Sequence, residues 1–313
     1  MAATDAAPAM RAPARRTGDL VFSGTARAAG IAILVALAGV AVFLTVEGLP
    51  AVTAGEAALD GKAGITLYVW PLLFGTLLAA LLAMVVATPL AIGVALVISH
   101  YAPRRLARTL GALIDLLAAV PSVVYGLWGI NVLAPRTVGL YEWLEANLGF
   151  LPLFAGPASS TGRTILTAAL VLAVMALPII TAVTREVFAQ TPAMHQEAAL
   201  ALGATRWEMI RMTVLPHGRP GMVSATMLGL GRALGETMAV AMVLSATGVV
   251  TFNLISSTNP STIAANIALQ FGEASGLKVN VLVFTGLVLF VVTFAVNFLG
   301  RAIAARGRVE GGR

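Results

Sequence analysis

Six long apolar stretches constrain the fold of this chain more than any other feature of its sequence. A helix needs roughly 20 apolar residues to cross the hydrocarbon core of a bilayer. The stretches that reach about this length are 28–46, 71–98, 110–133, 164–184, 221–247 and 279–300. Charged residues make up only 11% of the 313 residues, whereas soluble domains carry roughly 25%. The sequence therefore predicts an all-α integral membrane protein with six transmembrane helices.

The distribution of basic residues predicts the orientation. In a six-span arrangement, one side of the membrane receives Arg11, Arg15, Arg16, Arg27, Arg104, Arg105, Arg108, Arg185, Arg206, Arg211, Arg219, Arg301, Arg306, Arg308 and Arg313. The other side receives Lys62, Arg136, Arg163 and Lys278, and Arg232 falls within a span. Cytoplasmic loops carry the excess of Lys and Arg, so both termini are expected in the cytoplasm. The net charge of +6 is then explained without a nucleic-acid partner.

The domain organisation follows from the spans. Residues 1–25 are rich in Ala, Pro and Arg and are expected to form a disordered cytoplasmic tail. The first transmembrane helix is predicted at 26–47 and is retained, because its apolar core is longer than that of a signal sequence. The remaining five helices form one transmembrane domain at 72–300, followed by a cytoplasmic tail at 301–313. The Pro- and Asn-containing stretches outside the spans are predicted to be surface connections.

Several kinds of chemistry have no support in the sequence. The chain has no cysteine, which excludes thiol catalysis and thiolate metal sites. Its only lysines are Lys62 and Lys278, and neither stands in a Gly-x-x-x-x-Gly-Lys-Ser/Thr motif that could hold ATP phosphates. The three histidines lack a carboxylate or second histidine at ligand spacing. We therefore expect no enzyme activity, no metal site and no cofactor in this chain.

The loop between the fourth and fifth spans is predicted to form two short helices with a fixed bend. Thr191 can cap the first helix, and Gly203 can end it in the left-handed conformation. Thr205 and Glu208 form a capping box for the second helix, which Pro216 is expected to end. Such a loop either packs on its own bundle or protrudes as a docking element for a partner.

The same loop resembles the EAA signature of ABC-importer membrane subunits. The matching residues are Glu197, Ala198, Ala199, Gly203, Leu215 and Pro216. In that family the loop carries the coupling helix, which sits in a groove of the ATP-binding subunit. The resemblance therefore implies that residues 191–216, here called the coupling segment, contact an ATPase.

Three further stretches resemble the phosphate-importer permeases of the PstC type. They are 120–129 (VPSVVYGLWG), 203–210 (GATRWEMI) and 228–240 (LGLGRALGETMAV). The resemblance implies a type I ABC-importer permease fold in a bacterial inner membrane. It also implies three partners: a PstA-like second permease, a PstB-like ATPase dimer that binds ATP and Mg, and an external PstS-like phosphate-binding protein.

Arg232, Glu236 and Thr237 are predicted to lie in the substrate pathway. Arg232 and Glu236 are four residues apart, so on one helix they would share a face and could pair. Ionisable residues inside a membrane usually face a polar cavity, and a guanidinium group matches phosphate oxygens. A buried ion pair that fixes helix packing is the alternative. Asp115 is either a partner for an arginine of the other permease or a residue at a cytoplasmic helix end.

Two other functions are compatible with the sequence. A permease of the same architecture could transport another oxyanion, such as sulfate or molybdate. An ion-coupled carrier acting alone is a third hypothesis from a different class of protein. The pattern of the coupling segment argues against the carrier.

Overall fold

A computed structural model describes residues 17–310 of the chain, with side chains at position 18 and from 21 to 302. The α-helices in this part are α1 Thr17–Gly48, α2 Ile65–Leu96, α3 Arg104–Ala118, α4 Ser122–Trp128, α5 Ala134–Leu148, α6 Ile165–Ala189, α7 Ala193–Ala201, α8 Arg206–Met209, α9 Leu215–Gly235, α10 Met238–Val243, α11 Ile263–Gln270 and α12 Leu277–Glu310. The first sixteen residues of the predicted tail lie outside this description. Helix α1 begins at Thr17, within the stretch predicted to be disordered.

Among the described residues, four helical stretches are long and apolar enough to cross a membrane by themselves. They are Val21–Thr53, Ile65–Tyr101, Ile165–Ala189 and Leu277–Ala302. A fifth span results if Arg104–Ala118 and Ser122–Leu148, which meet at a bend of 93°, count as one broken span. The all-helical membrane fold is thus confirmed, while the six-span arrangement and the cytoplasmic termini remain predictions.

The predicted span at 110–133 is wrong as a single helix. Helix α3 ends at Ala118, and α4 begins at Ser122 after an extended Pro121. Proline has no amide hydrogen to donate and keeps the preceding residue out of the α region. The sharp bend between α3 and α4 follows from this one residue.

The predicted span at 221–247 is also broken. Helix α9 ends at Gly235, and Glu236 takes an extended conformation with φ −69° and ψ 127°. The six-residue helix α10 follows. The chain leaves the helix at Glu236, and among the described residues no ion pair joins Arg232 to Glu236.

The core of the bundle is formed by α2, α6, α9 and α10. Helix α2 presents Ala83, Ala87, Ala91 and Ala95 at intervals of four residues, and each is completely buried. Small side chains at this spacing let two helices approach closely, and α2 packs along α6. Helix α6 in turn packs against α9. Helix α1 lies at the periphery, against α12.

The segment between α10 and α11 is folded into the bundle, although the sequence predicts a surface connection. Its centre is Asn259, which is completely buried. The Asn259 side-chain oxygen accepts from the Ile165 amide at 2.9 Å, and its amide group donates to the carbonyls of Arg163, Ser245 and Ser256. Because one side chain satisfies four backbone groups, an irregular backbone can be buried here.

Candidate functional site

The coupling segment exposes large apolar side chains. Leu202 is 88% exposed, Met194 74% and Trp207 53%. Apolar side chains that stand out from a structured element are typical of a surface that a partner covers. Glu197 and Ala198 of the predicted signature are exposed on the same helix, α7.

Ala199, the last residue of the Glu-Ala-Ala triplet, fixes α7 to the bundle. Its side chain is 6% exposed and packs in a cluster with Phe188 and Ile210. Its carbonyl accepts a hydrogen bond from the Ala204 amide at 3.2 Å, while the Gly203 amide donates to the Leu200 carbonyl at 3.0 Å. These two bonds form a Schellman motif, which ends a helix through a left-handed residue.

Gly203 supplies the left-handed residue of that motif. Its φ is +87°, and an added Cβ would meet nothing within 4 Å. The requirement for glycine is therefore conformational and not steric. The predicted left-handed end of the first helix is present in the structure.

The predicted capping box is also present. The Thr205 hydroxyl accepts from the Glu208 amide, and the Glu208 carboxylate accepts from both the amide and the hydroxyl of Thr205, at 2.7 and 2.8 Å. The backbone hydrogen bond from Thr205, followed by the side-chain one, lowers the pKa of Glu208 from its ordinary value. The bend between α7 and α8 is thus fixed from both sides.

Two details of this segment differ from the prediction. Thr191 does not cap α7, because the helix begins at Ala193 and Pro192 takes the cap position without a side-chain bond.

Pro216 does not end the second helix. A π-helical stretch, Ile210–Val214, joins α8 to α9, and Pro216 lies in the first turn of α9. The wider π turn accommodates a proline that lacks an amide hydrogen. Leu215 is half-buried and Pro216 is exposed.

Arg232 lies near the end of α9 and lines a cavity of about 690 Å³ between α9 and α12. Its Nε atom is buried and has no hydrogen-bond partner among the described residues. A buried guanidinium nitrogen without a hydrogen-bond partner is costly. The structure thus places Arg232 at the wall of a cavity, and its role in the substrate pathway stays a prediction.

Glu236 and Thr237 form the break between α9 and α10. The Glu236 carboxylate accepts from the Ala239 amide at 3.2 Å, and the Thr237 hydroxyl donates to the Gly235 carbonyl at 3.1 Å. Both side chains are half-buried. The structure therefore brings Arg232, Glu236 and Thr237 to one helix break, but it uses Glu236 to cap α10.

Helix α4 packs against this break. An added Cβ on Gly126 would lie 3.0 Å from the Ala239 Cα, so α4 and α10 meet at a glycine. The neighbouring Tyr125 lies within electrostatic reach of Arg232, and its hydroxyl donates to the Leu117 carbonyl at 2.9 Å. Tyr125 thus ties α4 to the end of α3, a role that the sequence did not indicate.

Asp115 pairs with Arg185 within this chain. The Arg185 Nη2 atom lies 3.3 Å from the Asp115 carboxylate, which joins α3 to the end of α6. The two side chains are 55% and 28% exposed, so the pair contributes little to stability. Among the described residues, no group of three His, Cys, Asp or Glu side chains is placed to hold a metal ion.

Two residues near the site were not predicted to have a role. Asn259 organises the segment after α10, and only its position among turn-forming residues marked it in the sequence. Arg301 lines the same cavity as Arg232. In the sequence it is one basic residue of a terminal group and carries no separate signal.

The chain is similar along most of its length to membrane components of transport systems. The family described as "Binding-protein-dependent transport system inner membrane component" matches residues 87–309. The chain is 47% identical over 311 residues to "Phosphate transport system permease protein PstC 2" of Mycobacterium tuberculosis, covering 96% of this chain and 95% of that protein. It is 44% identical over 283 residues to the PstC protein of Mycobacterium leprae, covering 87% and 88% of the two chains.

A solved structure shares the fold. In the crystal structure of a bacterial alginate ABC transporter in complex with an alginate pentasaccharide-bound periplasmic protein, one chain superposes with a TM-score of 0.61. The match covers 92% of this chain and 95% of the other, at 15% sequence identity. At that identity the likeness supports the fold alone.

Proposed function

Because the chain belongs to the family of binding-protein-dependent transport system inner membrane components, we propose that it is the PstC-type permease subunit of an ATP-driven phosphate importer. In this proposal it forms half of the translocation pathway in a bacterial inner membrane. It catalyses no reaction itself and carries no cofactor. ATP and Mg are bound by a separate ATPase subunit.

The main support for phosphate as the substrate is the similarity to phosphate transport permeases over nearly the full length of both chains. Arg232 supports the same substrate on physical grounds. A phosphate ion loses hydration when it enters a membrane protein, and a fixed cation offsets part of that loss. The planar guanidinium group adds paired donors that match phosphate oxygens.

The partners follow from the same proposal. The coupling segment docks on a PstB-like ATPase dimer through its exposed apolar side chains, which include Met194, Leu202 and Trp207. A PstA-like permease supplies the second half of the pathway, and a PstS-like protein delivers phosphate from outside. Motion of the ATPase reaches α9 directly, because α8 continues into α9 through the π-helical stretch.

Transport by the assembled complex tests this function. Proteoliposomes containing both permeases and the ATPase, supplied with binding protein and ATP, are expected to take up labelled phosphate in the presence of excess sulfate. Omitting the ATPase is the control and should abolish uptake. If sulfate or molybdate inhibits uptake of the label as strongly as unlabelled phosphate does, the substrate is another oxyanion. Uptake without the ATPase would support an ion-coupled carrier.

A further inference from the structure

The cavity between α9 and α12 has a second arginine on its wall. Arg301 of α12 lines it together with Arg232 of α9. The neutral polar side chains in the wall are Ser224 and Asn297, and the other lining residues are Ile179, Met227, Leu228, Gly231 and Gly300. Among the described residues that line the cavity, two are arginines and none is an Asp or a Glu.

The spacing of these residues shows why they meet. Ser224, Leu228 and Arg232 follow one another at intervals of four along α9, and Asn297 and Arg301 are four apart on α12. Residues at this spacing share a helix face. An added Cβ on Gly300 would overlap Met227, so the two helices are in close contact beside the cavity.

The charge balance of the cavity points to an anion. Two cations on one wall repel one another unless a negative group lies between them. Arg232 is half-buried and so loses part of its hydration, whereas Arg301 is exposed. Glu236, the nearest acid in sequence to Arg232, has its carboxylate on the Ala239 amide. The Ser224 hydroxyl already donates to the Pro220 carbonyl at 3.0 Å, which leaves the two guanidinium groups and the Asn297 amide as donors.

We propose that this cavity is a binding site for a tetrahedral oxyanion, held between Arg232 and Arg301 with the Asn297 amide as a third donor. Arg301 belongs to the predicted cytoplasmic end of α12, so an anion held here stands between the helix break and the cytoplasm. The occupant is the transported phosphate at its last station before release. The identity of this anion rests on the proposed function, whereas the existence of the site rests on the cavity. A lipid phosphate headgroup offers the same chemistry, and the experiment below distinguishes it from free phosphate.

Chemical modification of the two arginines in the assembled importer tests the site. Phenylglyoxal reacts with guanidinium groups, and mass spectrometry measures the modification rate of each arginine. The complex is studied in maltoside detergent without added lipid, and in nanodiscs with and without phosphatidylglycerol. Inorganic phosphate is the probe. Arg219, an exposed arginine of α9 that does not line the cavity, is the control.

Phosphate is expected to slow modification of both Arg232 and Arg301 roughly tenfold or more, as expected for charge-assisted hydrogen bonds, and to leave Arg219 unchanged. Arg232→Gln should abolish the protection of Arg301, and Arg301→Gln should weaken that of Arg232. Protection by phosphatidylglycerol alone would assign the site to a lipid headgroup and contradict a transport station.

The proposal is overturned if neither anion protects Arg301, if Arg301 is unreactive in the assembled complex under all conditions, or if its protection is independent of Arg232. Uptake of labelled phosphate, measured on the same preparation after reconstitution, reports the proposed function separately. A complex that transports phosphate but shows no protection of Arg301 would refute the site alone.

Discussion

The Glu236 carboxylate accepts a hydrogen bond from the Ala239 amide at 3.2 Å and thereby caps α10 across the break that follows Gly235. In the sequence, Glu236 stands four residues after Arg232 and looks like its ion-pair partner. Among the described residues no ion pair joins them. Arg232 lines the cavity, and Glu236 stabilises the short helix that comes next.

This arrangement predicts that the oxygen atom of residue 236 matters more for stability than its charge. Glu236→Gln keeps an acceptor for the Ala239 amide and should leave the melting temperature of the purified complex nearly unchanged. Glu236→Ala removes the acceptor and should cost about 1 kcal/mol, as for other helix caps. Equal destabilisation by both substitutions, measured by thermal unfolding in detergent, would instead indicate an ion pair with Arg232.

The left-handed conformation of Gly203 gives a second prediction. Gly203→Val places a β-branched residue at φ +87°, which should cost about 1–2 kcal/mol. The Schellman motif would open and change the angle of α7, so less ATPase should co-purify and uptake should fall while membrane insertion persists. Gly203→Asn is the matched control, since asparagine tolerates this conformation. Normal coupled uptake by the Val variant would argue against a coupling role.

The capping box makes the fold of the coupling segment depend on pH. The pKa of Glu208 is lowered in the folded state, so its contribution is complete above the ordinary carboxyl pKa, about 4.3, and disappears as the pH falls through the lowered value. Hydrogen exchange of the Thr205 and Glu208 amides, corrected for the intrinsic pH effect, should therefore accelerate in acid. Glu208→Gln should exchange with little dependence on pH, and the same pH dependence in this variant would count against the box.

The predicted orientation can be tested independently of transport. If the distribution of Lys and Arg sets the topology, green fluorescent protein fused after Arg313 should fluoresce, because it folds in the cytoplasm. Alkaline phosphatase at the same position should be inactive, and its insertion in the connection between α5 and α6 should be active. An active phosphatase at the C-terminus would refute the six-span arrangement.

Much of the fold was predictable because bilayer-spanning helices have a strong signal in composition and length. The details of the coupling segment were also predictable where they depend on local backbone chemistry. Gly203, Thr205 and Glu208 act through neighbours within a few residues of the chain, and the structure places each as the sequence suggested.

Two of the errors arose where distant contacts decide the backbone conformation. Apolar content alone cannot show that α9 ends at Gly235, because α4 packs against α10 on the far side of the break. The burial of the segment around Asn259 depends on four backbone groups from separate parts of the chain. The error at Pro216 is a local one, because a π-helical stretch joins α8 to α9 and the proline lies in the first turn of α9 rather than at a helix end.

Phosphate flux per assembled complex in Arg232 variants tests the central claim most directly. Arg232→Lys keeps the charge but loses the planar pair of donors, and Arg232→Gln loses both. We predict that both variants assemble with the second permease and the ATPase in normal amounts, while labelled phosphate uptake per complex falls roughly tenfold or more, in line with the loss of charge-assisted hydrogen bonds. Wild-type uptake per complex in Arg232→Gln, or a loss of uptake that only follows a loss of assembled complex, would contradict the assignment of Arg232 to the phosphate pathway.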